Sequence, residues 1–383
     1  MNSQEPLPDT SRARADSSPH TAAPIAPARR RRRPLLAVAL ILLVLIIGGV
    51  AGFAVWLRMA VNQPVEHQSA DRIISIEPGT GTQAIIARLT EAGIVNHPTA
   101  LKIYLRLTGR AAGLKAGDYS FASPISPLQA IEKIRRGEVH LERVTIPEGY
   151  NRFEIAETLA AKTGKATAEE FLRIMDDQTP IENIAPEARD LEGYLFPDTY
   201  NYSPKMTPEE LVQAMVNRFD EVFTPEWAQR ASELGMTVHQ VVTLASIIEK
   251  EAKVPDERPR MASVFYNRLK LKMALGSDPT FIYAAILARD YDGNPNQPRH
   301  RTRLSPYNTY QVAGLPPGPI ASPGRASLEA TLYPDNTDYL YFVVNGTAGR
   351  HKFSRTAAEH DMAVQEYRTQ QRELRQQQPG GSR

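Results

Sequence analysis

The chain has 383 residues, 42% of them hydrophobic and 23% charged, with a formal net charge of +2 and no cysteine. That length and apolar content allow two or three domains with real cores, and the missing cysteine excludes disulfides, thiolate catalysis and cysteine-ligated zinc. Residues 1–33 hold seven arginines against three acidic residues, leaving a net −2 for everything after them. A slightly acidic remainder argues against nucleic-acid binding, which needs a basic face.

Residues 1–33 are rich in Pro, Ser and Ala and read as a disordered tail. From Leu35 to Leu57 runs an uncharged stretch of 23 positions, long enough to cross the roughly 30 Å hydrocarbon layer as a helix. It exceeds a signal-peptide core and ends in no A-x-A-like site, so a retained transmembrane helix is expected over 34–58. Five consecutive arginines, Arg29 to Arg33, precede it, which keeps the N-terminus cytoplasmic and turns the rest outward.

After a polar linker, RIISIEPGTGTQAIIARLTEAGIV reads as a strand, a Pro-Gly turn and a helix beginning near Thr82. The segment VTIPEGYNRFEIAETLAAK repeats it 70 positions later, with Ile76, Gly79, Ile85 and Leu89 matched by Ile146, Gly149, Ile155 and Leu159. Between them, AGDYSFASPISPLQAIEKIRRGE has the same strand, turn and helix order. Residues 72–165 are therefore expected as an α+β module, either a glycan- or partner-binding domain or a spacer. A second domain is expected over 185–367, mostly helical through Lys270 and then mixed, closing on an apolar strand from Tyr339 to Val344. The Gln- and Gly-rich end, 368–383, reads as a disordered tail. The expected class is α+β.

The segment TVHQVVTLASIIEKEAKVP fits a helix capped by Thr237 and stopped by Pro255. Of its two terminal glutamates, Glu251 has Ile248 and Ile247 on its own face, whereas Glu249 has Ser246 and Ala245. A carboxyl against apolar side chains keeps its proton to higher pH and suits a general acid; on spacing alone, a solvated Glu/Lys helix end explains the same pattern. Nearby segments supply polar and aromatic groups suited to sugars: ASVFYNRL, SDPTFIY and the Pro-Gly-Tyr loop Ser305 to Gly324. Candidate substrate-binding residues there are Asn267, Arg268, Asp278, Thr280, Tyr283, Tyr307, Asn308 and Tyr310, each of which has an ordinary structural alternative. Glycoside cleavage usually takes two carboxylates, and Asp256, Glu257 and Asp278 are the choices for a second. His351, His360 and Asp361 have no metal-ligand spacing, so no metal or cofactor is expected.

In their order, ASIIEKEA, SVFYNRL, DPTFIY, YNTY, GLPPGPIASPG and YLYFVVNGTAGRHKFS after a single N-terminal span resemble the endolytic murein transglycosylase, or YceG-like, family. The resemblance is dense from Leu191 to Val364 and looser over 72–165. It implies a lytic transglycosylase that cuts between N-acetylmuramic acid and N-acetylglucosamine without water and leaves a 1,6-anhydro ring. By the family pattern one glutamate, Glu251, acts as acid and then base. Further implications are a LysM-like module over 72 to about 140, action on nascent glycan strands that limits their elongation, partnership with peptidoglycan synthases (penicillin-binding proteins), and a place in the bacterial inner membrane with the catalytic domain periplasmic. Ala252 departs from the Thr or Ser that often follows the catalytic glutamate. A non-catalytic wall-binding scaffold and a two-carboxylate hydrolase stand as alternative readings.

Overall fold

The computed structural model describes residues 33–70, 72–295, 297–345 and 349–377; the expected tail before residue 33 lies outside them. The α+β class is as expected, with helices dominating and six strands forming three two-stranded antiparallel sheets among the described residues. The chain divides into two compact units, Met1–Ala70 with Gly81–Gly113 and Ala122–Glu132, and Asp71–Thr80 with Leu114–Phe121 and Lys133–Arg383.

The first unit holds α1 (Arg33–Asn62), α2 (Thr82–Glu91), α3 (Pro98–Thr108) and most of α4 (Pro127–Arg136). From Leu35 to Asn62, α1 has 28 residues, and its most apolar 18-residue window has a mean hydropathy of 3.0 and is nowhere buried. At 1.5 Å per residue this is about 42 Å, more than the hydrocarbon layer requires. The helix outlasts the expected span by one turn because Leu57 and Val61 are buried where α1 packs on α3. α3 starts with Pro98 in its first turn and ends at Gly109 in the left-handed region.

In the second unit β1 (Ile74–Ile76) pairs with β2 (Gly117–Tyr119), and β3 (Glu142–Thr145) with β4 (Thr199–Tyr202). The 70-residue repeat is physical. Gly79 and Gly149 both turn at positive φ, 81° and 76°, where a glycine costs no Cβ clash, and the six matched Ile and Leu residues are all buried. Helices α5 (Arg152–Thr163), α6 (Ala168–Met175), α7 (Pro208–Val222), α8 (Pro225–Glu233) and α9 (Val238–Glu251) follow. α5, α6, α7 and α9 each begin with a capping box, on Asn151, Thr167, Thr207 and Thr237. The expected boundary near residue 185 falls inside this unit. β3 and β4 pair across it, and one core runs from Val144 through Tyr194 and Phe219 to Ala245 and Leu332.

The rest of the unit comprises α10 (Arg258–Lys270), α11 (Asp278–Leu287), α12 (Pro298–Thr302), α13 (Arg325–Leu332), the hairpin of β5 (Tyr341–Asn345) and β6 (Arg350–Ser354), and α14 (Ala357–Gln377). β5 starts two residues after the expected strand. α14 continues through ten residues that composition assigned to a tail, because Gln, Arg, Glu and Leu are good helix formers and the helix-breaking Pro-Gly-Gly comes only at Pro379.

Candidate active site

α9 is the central element. Thr237 accepts from the Gln240 N–H while the Gln240 side chain accepts from the Thr237 N–H, satisfying two of the donors a helix start leaves open. From Val241 to Ile248 every residue is buried, against α13, α10 and α11. The helix ends at Glu251, where Ala252 turns to ψ 105°. That is four residues before Pro255, which instead opens a short 3₁₀ turn (Pro255–Glu257).

The two glutamates of the last turn have different surroundings. Glu249 faces inward: Arg258 reaches it at 3.4 Å, the Ser327 hydroxyl donates to it at 2.7 Å and the Gly324 N–H at 3.1 Å. With its charge matched on three sides, it is a structural group. Glu251 is half-buried, with a single hydrogen-bond partner among the described residues, the Ser277 hydroxyl at 2.6 Å. Burial lifts its carboxyl above the ordinary range. The Ser277 hydroxyl opposes the rise, the Asp278 charge adds to it, and Arg268 and Lys253 oppose it. The result is a proton held more tightly than on an ordinary glutamate.

Ser277 occupies the N-cap position of α11 without a side-chain cap bond, because its hydroxyl turns to Glu251, and its N–H is held by Thr309 Oγ1 at 3.0 Å. The Thr309 carbonyl accepts from the Gly276 N–H, and Thr280 bonds Thr309 from the other side. The Pro-rich loop Ser305 to Gly324 thus splints the turn that carries Ser277. Asp278 is exposed and accepts from the Tyr310 hydroxyl at 2.6 Å. Arg268 is anchored through Nε to the Leu340 carbonyl and through Nη1 to the Leu275 carbonyl, both at 2.6 Å, with its guanidinium 5.4 Å from the Tyr341 ring centre.

Of the residues expected to bind substrate, the structure gathers Arg268, Asp278 and Tyr310 around Glu251. It places the others in internal bonds. Asn267 donates to the Thr337 and Tyr339 carbonyls, buried Asn308 to those of Arg301 and Arg303, and buried Thr280 to that of Ser277. Tyr283 donates to buried Glu192, and Tyr307 packs on the Tyr283 ring at 5.2 Å. Ser277, Lys253 and Tyr341 join the site without having been singled out, and of these only the Ser-Asp-Pro cap signature was available as a signal. Among the other carboxylates, Asp256 pairs with Arg350 on the surface and buried Glu257 with His351. No cluster of three or more metal-ligating side chains occurs among the described residues. A cavity of about 610 Å³ lies at the opposite end of α9, beside Thr237 and His239, and none of the expected site residues lines it.

The model of the YceG-like family matches residues 74–366. The chain is 34% identical over 346 residues to the endolytic murein transglycosylase of Bacillus subtilis, covering 84% of this chain and 91% of that one. It is 31% identical over 357 residues to that of Streptococcus pneumoniae serotype 2, covering 84% of this chain and 63% of the longer relative. The crystal structure of a yceG-like protein from Listeria monocytogenes superposes with a TM-score of 0.53 at 32% identity, covering 76% of this chain and 97% of that one. With the match running across both units, the chain belongs to the YceG-like family.

Proposed function

We propose that this chain is an endolytic peptidoglycan lytic transglycosylase, a lyase anchored by α1 with its N-terminus in the cytoplasm and its second unit facing the wall. The observation that carries the reading is Glu251: a desolvated carboxyl at the end of a rigid buried helix, with one hydroxyl donor and with Asp278, Tyr310 and Arg268 around it. The names of the relatives support peptidoglycan as the substrate.

In this mechanism protonated Glu251 gives its proton to the oxygen linking muramyl C1 to the next N-acetylglucosamine. The C1–O bond breaks and leaves positive charge at C1. The carboxylate so formed is stabilised by the Ser277 hydroxyl, Arg268 and Lys253. It then takes the proton of the muramyl C6 hydroxyl as that oxygen bonds to C1, which closes the 1,6-anhydro ring and restores the acid. No water is consumed. The strand–turn–helix segment over 72–140 is proposed as a LysM-like glycan holder, and action on nascent strands beside a synthase is the matching cellular role.

One observation favours a second reading. Asp278 is an exposed carboxylate close enough to raise the Glu251 pKa, and such a pair can activate water for hydrolysis. The test is mass spectrometry of products from uncrosslinked glycan strands treated with wild type and Glu251→Gln. Anhydro-muramyl ends from wild type alone support the proposal. Reducing ends support the hydrolase, and activity retained in Glu251→Gln removes Glu251 from the mechanism.

A further inference from the structure

The segment Pro298 to Arg303, PRHRTR, carries four basic side chains, and one of them, Arg301, reaches Tyr310. Three of them are engaged by acids of the preceding loop: Arg299 meets Asp292 at 3.0 Å and Asp290 at 3.6 Å, His300 meets Asp292 at 3.6 Å, and Arg303 pairs with Asp290. Arg301 differs. Its guanidinium lies 4.2 Å from the centre of the Tyr310 ring, and among the described residues no carboxylate pairs with it. The Tyr310 ring in turn is fixed by its hydroxyl on Asp278 and by Phe281, 6.0 Å away. Glu251, Ser277, Asp278, Tyr310 and Arg301 form one connected row from the half-buried acid to the exposed Arg301.

A guanidinium stacked on an aromatic face is held in plane and keeps its N–H edges free. Those edges suit a carboxylate, which they can bind with two parallel hydrogen bonds. Arg268 cannot do this with its full fork, because Nε and Nη1 are already committed to main-chain carbonyls. The exposed end of the row is therefore a cation prepared for an anionic group that leaves the sugar plane.

We infer that Arg301, stacked on Tyr310, is a specificity residue that binds a carboxylate carried by the muramyl unit at the cleavage site. This rests on the glycan-cleaving reading of the same pocket. The carboxylate has two sources, the peptide stem or the lactyl group freed when the stem is removed.

The test is calorimetric binding of soluble strand fragments to the full chain in detergent, comparing Glu251→Gln with Glu251→Gln/Arg301→Gln. Four probes are used: stem-bearing and stem-stripped fragments, each with free carboxylates and with carboxylates converted to carboxamides. Glu251→Gln is expected to bind one carboxylate form roughly tenfold tighter than its carboxamide, and the double variant is expected to bind both forms alike. The strand type showing the difference identifies the source. The inference is overturned if Arg301→Gln weakens free and blocked fragments equally, which marks a structural role, if it changes neither, or if no fragment binds. Charge-dependent binding without cleavage by wild type would instead overturn the catalytic reading and leave the Arg301 assignment standing.

Discussion

The Ser277 hydroxyl donates to Glu251 Oε1 at 2.6 Å while the next residue, Asp278, presents a negative charge to the same carboxyl. Adjacent positions thus act on one acid with opposite sign. A donor to the carboxylate favours the charged form and lowers the pKa, whereas a like charge disfavours it and raises the pKa. In the proposed mechanism cleavage needs Glu251 protonated, so activity is expected to decline as pH rises through its pKa. Ser277→Ala is expected to move that falling limb of kcat/KM to higher pH, and Asp278→Asn to move it to lower pH. Profiles shifting in the same direction, or a limb that persists unchanged in Glu251→Gln, would show that another group sets it.

Glu249 and Glu251 are separable by what their loss does. Glu249 is matched by Arg258, the Ser327 hydroxyl and the Gly324 N–H. Removing one partner of a buried pair leaves the other unpaired, at a cost of about 3 kcal/mol or more. Glu249→Ala is expected to lower the melting temperature markedly and, below that temperature, to yield the same products as wild type. Glu251→Gln is expected to melt near wild type and yield none. A Glu249→Ala protein of normal stability but altered products would reverse the assignment.

The contrast between these glutamates also marks what was legible in the sequence. Helical spacing put Ile247 and Ile248 beneath Glu251, and the structure buries both. What separates the two carboxyls, however, is tertiary: Ser327 and Gly324 reach Glu249 across more than 70 positions of chain, and no local pattern encodes that. The Thr237 cap, the α11 start at Ser277-Asp278-Pro279 and the repeated turns at Gly79 and Gly149 were readable because backbone chemistry specifies them locally. Polar type alone did not distinguish side chains facing the pocket from those securing the backbone. Thr280 and Asn308 resemble sugar ligands in sequence, yet both are spent holding the Ser277 turn and the Ser305 to Gly324 loop in place.

The end of α1 has two roles. Its apolar length suits a bilayer, while Leu57 and Val61 are buried in the first unit. A chain beginning at residue 55 is expected to leave the membrane fraction and remain folded. One beginning at residue 63 loses both side chains from the packed face, a deficit of roughly 2–4 kcal/mol in that unit. Urea titration of the two shortened chains checks this, and equal midpoints would show that the last turn of α1 contributes nothing to the fold.

Glu192 supplies the clearest pH dependence of stability. It is fully enclosed and accepts from the Arg152 N–H at 3.1 Å and the Tyr283 hydroxyl at 2.8 Å. Burial nevertheless dominates, raising its pKa from 4.5 to about 8, with Asp190 adding to the rise and Arg152 opposing it. Below pH 4.5 both folded and unfolded chains hold the proton, so the group is neutral to stability. Between 4.5 and 8 only the folded chain holds it, and stability falls as pH rises, by on the order of 1 kcal/mol per pH unit at most. Above 8 the loss is complete. Glu192→Gln removes the titration while keeping an acceptor for Arg152 and Tyr283. The drop in melting temperature between pH 5 and pH 8 is therefore expected to be smaller in this variant than in wild type. If both proteins lose the same amount over that interval, Glu192 is ionised in the fold and the pH dependence arises elsewhere.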